Sequence, residues 1–321
     1  MTRFLISRAL QSVVVLAIVS LLVFALIGLM PGDPVDLMLS ANPTMTSEDA
    51  ARIRAMHGLD RPLVERYATW LGSALQGDLG YSRLFARPVM DVMAPALANT
   101  FRLMGLALLL SLAIALPAGI YAALHPRSVA DYGINLVAFA GVSVPPFWIA
   151  LLFILVFAVG LGVLPAGGAG TPGINHWADT ARHLILPVAS LTVASVGGHI
   201  RYVRAAMIET MRQDFIRTAR AKGLSRFRVV AVHALRAALI SVVTVVALEF
   251  GYLFSGALIT ETIFAYPGMG KLIFDSIMGN DFNLALIAFL FATALTLTGN
   301  ILADGLYVAI DPRITFAKVR S

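Results

Sequence analysis

Long, nearly uncharged apolar runs recur six times along the chain, at 9–30, 99–124, 134–162, 183–203, 237–260 and 282–308. A helix crossing ~30 Å of hydrocarbon needs ~20 residues at 1.5 Å each, and these runs have about that length. No two-residue alternation of the kind a barrel strand needs is present, and backbone groups in lipid must pair internally. The pattern therefore predicts an all-α membrane protein with six transmembrane helices. The first run is followed by Pro31-Gly32-Asp33-Pro34 and not by a small-x-small cleavage site, so it reads as a retained anchor. Pro145-Pro146 interrupts the third run, as a kink lining a pathway or as a bend that neighbouring helices satisfy.

The runs divide the rest into a short N-terminus (1–8), a long segment at 31–98, a loop at 204–236, a loop at 261–281 and a tail at 309–321. Within 31–98, Thr46-Ser-Glu-Asp49 reads as a helix-starting capping box, and Gly58 as a stop. Asp60-Arg-Pro62 restarts a helix. Leu63, Tyr67, Trp70, Leu71 and Ala74 then fall on one face, and Gly77 and Gly80 end it. The segment is expected to be a small helical cap on the outer membrane surface.

Composition agrees with the bilayer. Hydrophobic residues make up 59% of the 321 and charged ones 13%, against about 25% charged in soluble domains. There is no cysteine, which excludes disulfides and thiolate metal sites. The net charge of +6 would suit nucleic acid, but its distribution reads as topology. Residues 201–236 hold nine cations against Glu209 and Asp214, whereas 31–96 hold six arginines against eight carboxylates. The positive-inside rule then places 204–236 and both termini in the cytoplasm, and 31–98 and 261–281 outside. No nucleic-acid partner is expected.

The 204–236 loop carries more than topology requires. Asp214-Phe-Ile-Arg-Thr-Ala-Arg-Ala-Lys-Gly223-Leu224 is a basic, small-residue helix expected to end at Gly223 in a left-handed conformation. Ser225 is placed to cap the next helix. Ala219 and Ala221 allow close backbone approach. Such a helix suits docking of a soluble partner at the membrane surface. Enzyme chemistry is not legible. The six histidines show no metal-binding spacing, and Gly268-Met-Gly270-Lys271 lacks the earlier glycine and the following Ser or Thr of a phosphate loop. No catalytic, metal or cofactor residue is expected. Polar groups inside spans are candidates for the pathway by default: Glu249, Asn300 and Asp304, with Pro145 and Pro146. For Glu249, a cavity carboxylate that senses cationic cargo and a structural partner of a neighbouring helix both remain open.

These residues resemble one family. Arg217-Thr-Ala-Arg-Ala-Lys-Gly-Leu224 is similar to the "EAA" loop of permease subunits of bacterial ABC importers, with Gly223 in register. Together with His233-Ala-Leu-Arg236, Pro31-Gly-Asp-Pro34, Gly58-Leu-Asp-Arg-Pro-Leu63, Gly77-Asp-Leu-Gly80, Pro146-Phe-Trp148, Glu261-Thr-Ile-Phe264, Pro267-Gly268 and Asp311-Pro-Arg313, it resembles the dipeptide/oligopeptide/nickel branch. It departs from the general motif at Arg217 and Thr218, and from the branch at Ala237 and Ser241. The resemblance implies a type I importer permease in the inner membrane, surrounded by lipid. It implies as partners a second, homologous permease, two cytoplasmic ATPase subunits that bind ATP and Mg, and an external substrate-binding protein. Arg217, Thr218, Ala219, Arg220, Ala221, Lys222, Gly223 and Leu224 would form the coupling helix docked in an ATPase. Peptides are the expected cargo, with nickel chelates, glutathione or another small solute as alternatives. A proton-coupled secondary transporter using Glu249 and Asp304 is the alternative of a different class.

Overall fold

The computed structural model describes residues 2–28, 46–56, 60–174, 176–252 and 257–310. Gly58, Pro31 to Pro34 and the tail motif at 311–313 lie outside the described residues. Helix α1 spans Thr2–Gly28, α2 Ser47–Met56 and α3 Leu63–Leu75. A two-residue antiparallel pair follows, β1 Tyr81–Ser82 and β2 Arg87–Pro88. Next come α4 Val89–Leu124, α5 Val129–Ser143, and α6 Pro146–Phe153, which widens into a π-helix over Ile154–Gly160. Helix α7 is Trp177–Met211, α8 Asp214–Ala221 and α9 Arg226–Arg228, which enters a second π-helix at Val229–Ala234. Helices α10 Leu235–Tyr252, α11 Leu258–Ile263, α12 Met269–Met278 and α13 Phe282–Ile310 complete the described chain.

Four helices among the described residues are long and apolar enough to cross a membrane: Ile6–Gly28, Val89–Leu124, Trp177–Met211 and Phe282–Gly305. Several exceed the sequence boundaries. The second begins at Val89 rather than 99, and the fourth runs from Trp177 to Met211 rather than over 183–203. The uncharged stretch 134–162 is not one helix. α5 and α6 meet at 94°, because Val144 and Pro145 are extended and Pro146 starts the new helix. The run 237–260 likewise divides into α10 and α11 on either side of 253–256, which lie outside the described residues.

Helix α7 is the central element, packed on α4, α5 and α10. Small residues let these helices touch at the backbone, as membrane interiors favour where no hydrophobic drive separates lipid from protein. A Cβ built on Gly197 would lie 2.1 Å from the Ala138 carbonyl oxygen, one on Gly141 3.1 Å from that of Val193, and one on Gly119 2.8 Å from Val203. Polar groups between the helices are paired. Ser111 Oγ lies 2.6 Å from His199 Nδ1, and Thr192 Oγ1 donates to the Val188 carbonyl. The outward faces of α5 and α6 are apolar, with Leu136, Val137 and Trp148 more than half exposed, as lipid or another membrane subunit requires.

Within 46–88, the local signals that fall on described residues hold. Asp49 N–H donates to Thr46 Oγ1 and Thr46 N–H to Asp49 Oδ2, a reciprocal box. The apolar face of α3 lies along α1, with Tyr67 and Trp70 rings 5.5 and 5.8 Å from Phe24 and the Tyr67 hydroxyl 2.7 Å from Ser20 Oγ. Gly77 and Gly80 take φ of +89° and +71° beyond its end. The β-hairpin was not foreseen, because two-residue strands leave no periodic signal. It is tied to the start of α13. Buried Asp281 accepts from Ser82 Oγ at 2.5 Å and from Leu84 N–H at 2.9 Å, and Asn283 Nδ2 donates to the Leu79 carbonyl at 2.9 Å.

Candidate functional site

The loop candidate is built from the end of α7 onward. The α-helical pattern stops at Met211, Gln213 turns extended, and α8 starts at Asp214. Ile216 and Ala219 are buried against Val203, Met207, Val229 and Ala234, so α8 is fastened to α7 and to the root of α10. Its other face presents Phe215, Arg217, Thr218, Arg220 and Ala221, all exposed. Lys222 N–H donates to the Thr218 carbonyl, Gly223 N–H to Arg220 and Leu224 N–H to Ala219. With Gly223 at φ +75°, the last two bonds form a Schellman motif, and Leu224 packs into the same cluster as Ala219. Ser225 Oγ then accepts from Arg228 N–H, the cap expected of it. The eight residues from Arg217 to Leu224 are thus brought together as one rigid, cation-studded turn. Beside it lies a groove of about 510 Å³, lined in part by Leu124, Pro126, Arg220 and Arg226.

One pair at this end was not read from the sequence. Asp131, in the first turn of α5, is 2% exposed and accepts two bonds from Arg204 of α7, Nε to Oδ1 and Nη2 to Oδ2, each 2.7 Å. Arg127 N–H and Asn135 Nδ2 complete its shell at 2.9 and 2.8 Å. A signal was available: Asp131 is the one charged residue between Arg127 and Asp179.

The candidate pathway residues do not gather in the same way. Pro145 and Pro146 form the exposed corner between α5 and α6, and Asn300 is exposed on α13. Asp304 is paired with Arg8, Nε to Oδ2 at 3.0 Å, which joins the first turns of α1 to the last turns of α13. That pair gives Asp304 a structural occupation. Glu249 falls in α10, but its side chain lies outside the described residues.

A second site, at the other end of the helices, was missed. Glu261 is fully buried. Thr100 Oγ1 lies 2.5 Å from its Oε1, and Lys271 N–H donates to Oε2 at 3.0 Å. Met269 N–H donates in turn to Thr100 Oγ1. Burial raises the Glu261 carboxyl above its ordinary value, against the lowering pull of these bonds. Gly268 is where it is because a Cβ there would lie 2.1 Å from Glu261 Oε1. The phosphate-loop-like glycines therefore serve a carboxylate of the chain itself. Tyr266 is 1% exposed, with its hydroxyl 3.3 Å from the Asn99 carbonyl and its pKa pushed up to about 12 by burial. Lys271 is paired with Asp275. Glu261 stood in a recognised motif, but its neighbours in sequence gave no hint that it would be sealed inside.

The architecture is that of a helical protein with several helices long and apolar enough to cross a membrane. Residues 115–316 match the family described as binding-protein-dependent transport system inner membrane component, and residues 1–104 match that described as its N-terminal membrane component. The chain belongs to this family of transport permeases. It is 37% identical to the oligopeptide transport system permease protein AppB of Bacillus subtilis over 98% of this chain and 100% of that one. It is 39% identical to a putative peptide permease protein of Brucella ovis over 98% and 99%, and 39% identical to the di/tripeptide transport system permease protein DppB of Pseudomonas aeruginosa over 92% and 94%.

Proposed function

We propose that this chain is a non-catalytic permease subunit of an ATP-driven peptide importer of the inner membrane, forming half of the translocation path. The observation that carries the reading is the Schellman-closed helix from Asp214 to Ala221, exposed on its cationic side and packed into α7 and α10 on the other. A rigid element of this kind transmits a push from a soluble subunit, and one that merely satisfied topology would not need it. Peptide cargo is supported by the names of near full-length relatives. In the complete reading the chain crosses six times, with α5–α6 as a broken third crossing and α10 as the fifth. Both termini are cytoplasmic, and the Arg8–Asp304 pair supports this by joining the two ends of the chain. The partners are a second permease, two ATPase subunits holding ATP and Mg, and an external binding protein.

The test is affinity recovery from native membranes in mild detergent, followed by uptake of labelled alanine di- to pentapeptides into proteoliposomes. Recovery of a second permease with two ATPases, and uptake only with ATP, is the expected result. Uptake by the chain alone on a proton gradient would overturn it. A variant sharpens the test. Gly223→Asp places a side chain at φ +75° and a negative charge on a cationic turn, and the Cβ itself meets open space. The chain is expected to stay folded while ATPase co-recovery falls about tenfold, equivalent to about 1.4 kcal/mol of docking. Unchanged co-recovery and peptide-stimulated ATP hydrolysis would remove Gly223 from the docking surface.

A further inference from the structure

We infer that the buried Asp131–Arg204 pair is the strut that makes α5 move with the docking loop, and that transport is coupled to ATP hydrolysis through it. This rests on the importer reading above. The argument begins with position. Arg204 lies seven residues before the end of α7, about 10 Å along the axis. It stands between Val203 and Met207, which belong to the same buried cluster as Ile216 and Ala219 of α8. A displacement of α8 is therefore delivered to the turn of α7 that carries Arg204.

Asp131 receives that displacement on α5. The two helices run antiparallel and meet at three points spaced along both: Asp131 with Arg204, Ala138 with Gly197, and Gly141 with Val193. The last two are close backbone approaches, which resist separation poorly because they are held by dispersion alone. The first is a two-pronged charge-assisted contact. A fork of two parallel bonds fixes direction as well as distance, which a single bond or a point charge does not. It is also the point nearest the loop, where a force entering from α8 first reaches α5. Asp131 has no freedom to yield, since Arg127 N–H, Asn135 Nδ2 and both Arg204 nitrogens fix its two oxygens. Beyond Ser143 the rod ends at the extended Val144–Pro145 corner, and α6 turns away by 94° to pack on α11, the helix that carries Glu261. A rod clamped at one end and joined through a corner to the packing around α11 at the other is a lever. Asp131 and Arg204 are positioning residues in it and touch no cargo.

The experiment uses the whole complex in proteoliposomes, with binding protein, and measures ATP hydrolysis and uptake of labelled alanine di- to pentapeptides on the same preparation. Asp131→Asn keeps the side-chain shape and removes the fork. Peptides taken up per ATP hydrolysed are expected to fall about tenfold, while complex recovery and hydrolysis stay within twofold of the wild type; this loss is of the size of a typical coupling free energy. Asp131→Glu, which restores the charge, is expected to recover most of the ratio. If Asp131→Asn leaves the ratio unchanged, lowers hydrolysis and uptake by the same factor, or prevents recovery of the complex, the pair is a structural tie and the inference fails. A wild-type complex that takes up no peptide with ATP would instead sink the importer reading itself, so the two failures are separable.

Discussion

Gly197→Ala is expected to destabilise the chain severely, and Gly198→Ala, one residue on, to leave it intact. A methyl group on Gly197 would come within 2.1 Å of the Ala138 carbonyl oxygen and 3.0 Å of Val142, and the nearest obstacle is backbone, which cannot rotate aside. α5 must then move off α7, opening the interface on which the Asp131–Arg204 pair depends. The cost is expected at about 3 kcal/mol, the upper end for overpacking. A methyl group on Gly198 meets nothing within 4 Å and gains roughly 1 kcal/mol of helix propensity. Thermal unfolding of the purified chain in detergent, followed by the intrinsic fluorescence of its three tryptophans, Trp70, Trp148 and Trp177, checks both variants. A midpoint for Gly197→Ala within about 2 °C of wild type would show that α5 is not seated on α7 in this way.

The contrast between these two glycines also marks how far the sequence could be read. The long apolar runs placed the major helices because length and the absence of charge are sufficient signals in a bilayer. The loop around Gly223 was legible in its caps and its left-handed glycine, which are local chemistry; Ala219, expected on the face open to a partner, is instead buried with Ile216 in the chain's own core, and only Ala221 stays exposed. What was not legible depends on which side of a helix meets which neighbour. In an all-apolar helix, periodicity vanishes, so Gly197 and Gly198 look alike. Asp131 and Arg204 are 73 residues apart, and Ser82 and Asp281 199 apart; no pattern along the chain joins them. The proline pair at 145–146 announced a break, but not that the break would become a right-angled corner. Nor did any pattern along the chain announce that Asp304 would pair with Arg8 of the first helix.

Glu261 gives the second large effect, with a pH dependence of definite sign. Glu261→Ala removes the acceptor of Lys271 N–H and the partner of Thr100 in a place water does not reach. Each orphaned group costs about 1–3 kcal/mol, so a loss of roughly 3 kcal/mol or more is expected. Gly268→Ala should match it, since its methyl group would occupy the position of Oε1. Glu261→Gln should be mild. Its oxygen can take the backbone donor and its amide can donate to Thr100 Oγ1, as a protonated carboxyl would. Burial raises the folded carboxyl above the 4.5 of the free side chain, so the folded state holds the proton more tightly than the unfolded one. The stability this contributes is complete below pH 4.5 and is lost as pH rises through the folded value. Wild type should therefore gain stability relative to Glu261→Gln on acidification from pH 8 to pH 5, measured by the same fluorescence melt in detergent. The opposite slope would mean that the hydrogen bonds from Thr100 and Lys271 hold an ionised carboxylate more strongly than burial penalises it, and Glu261 would then be a fixed, buried negative charge.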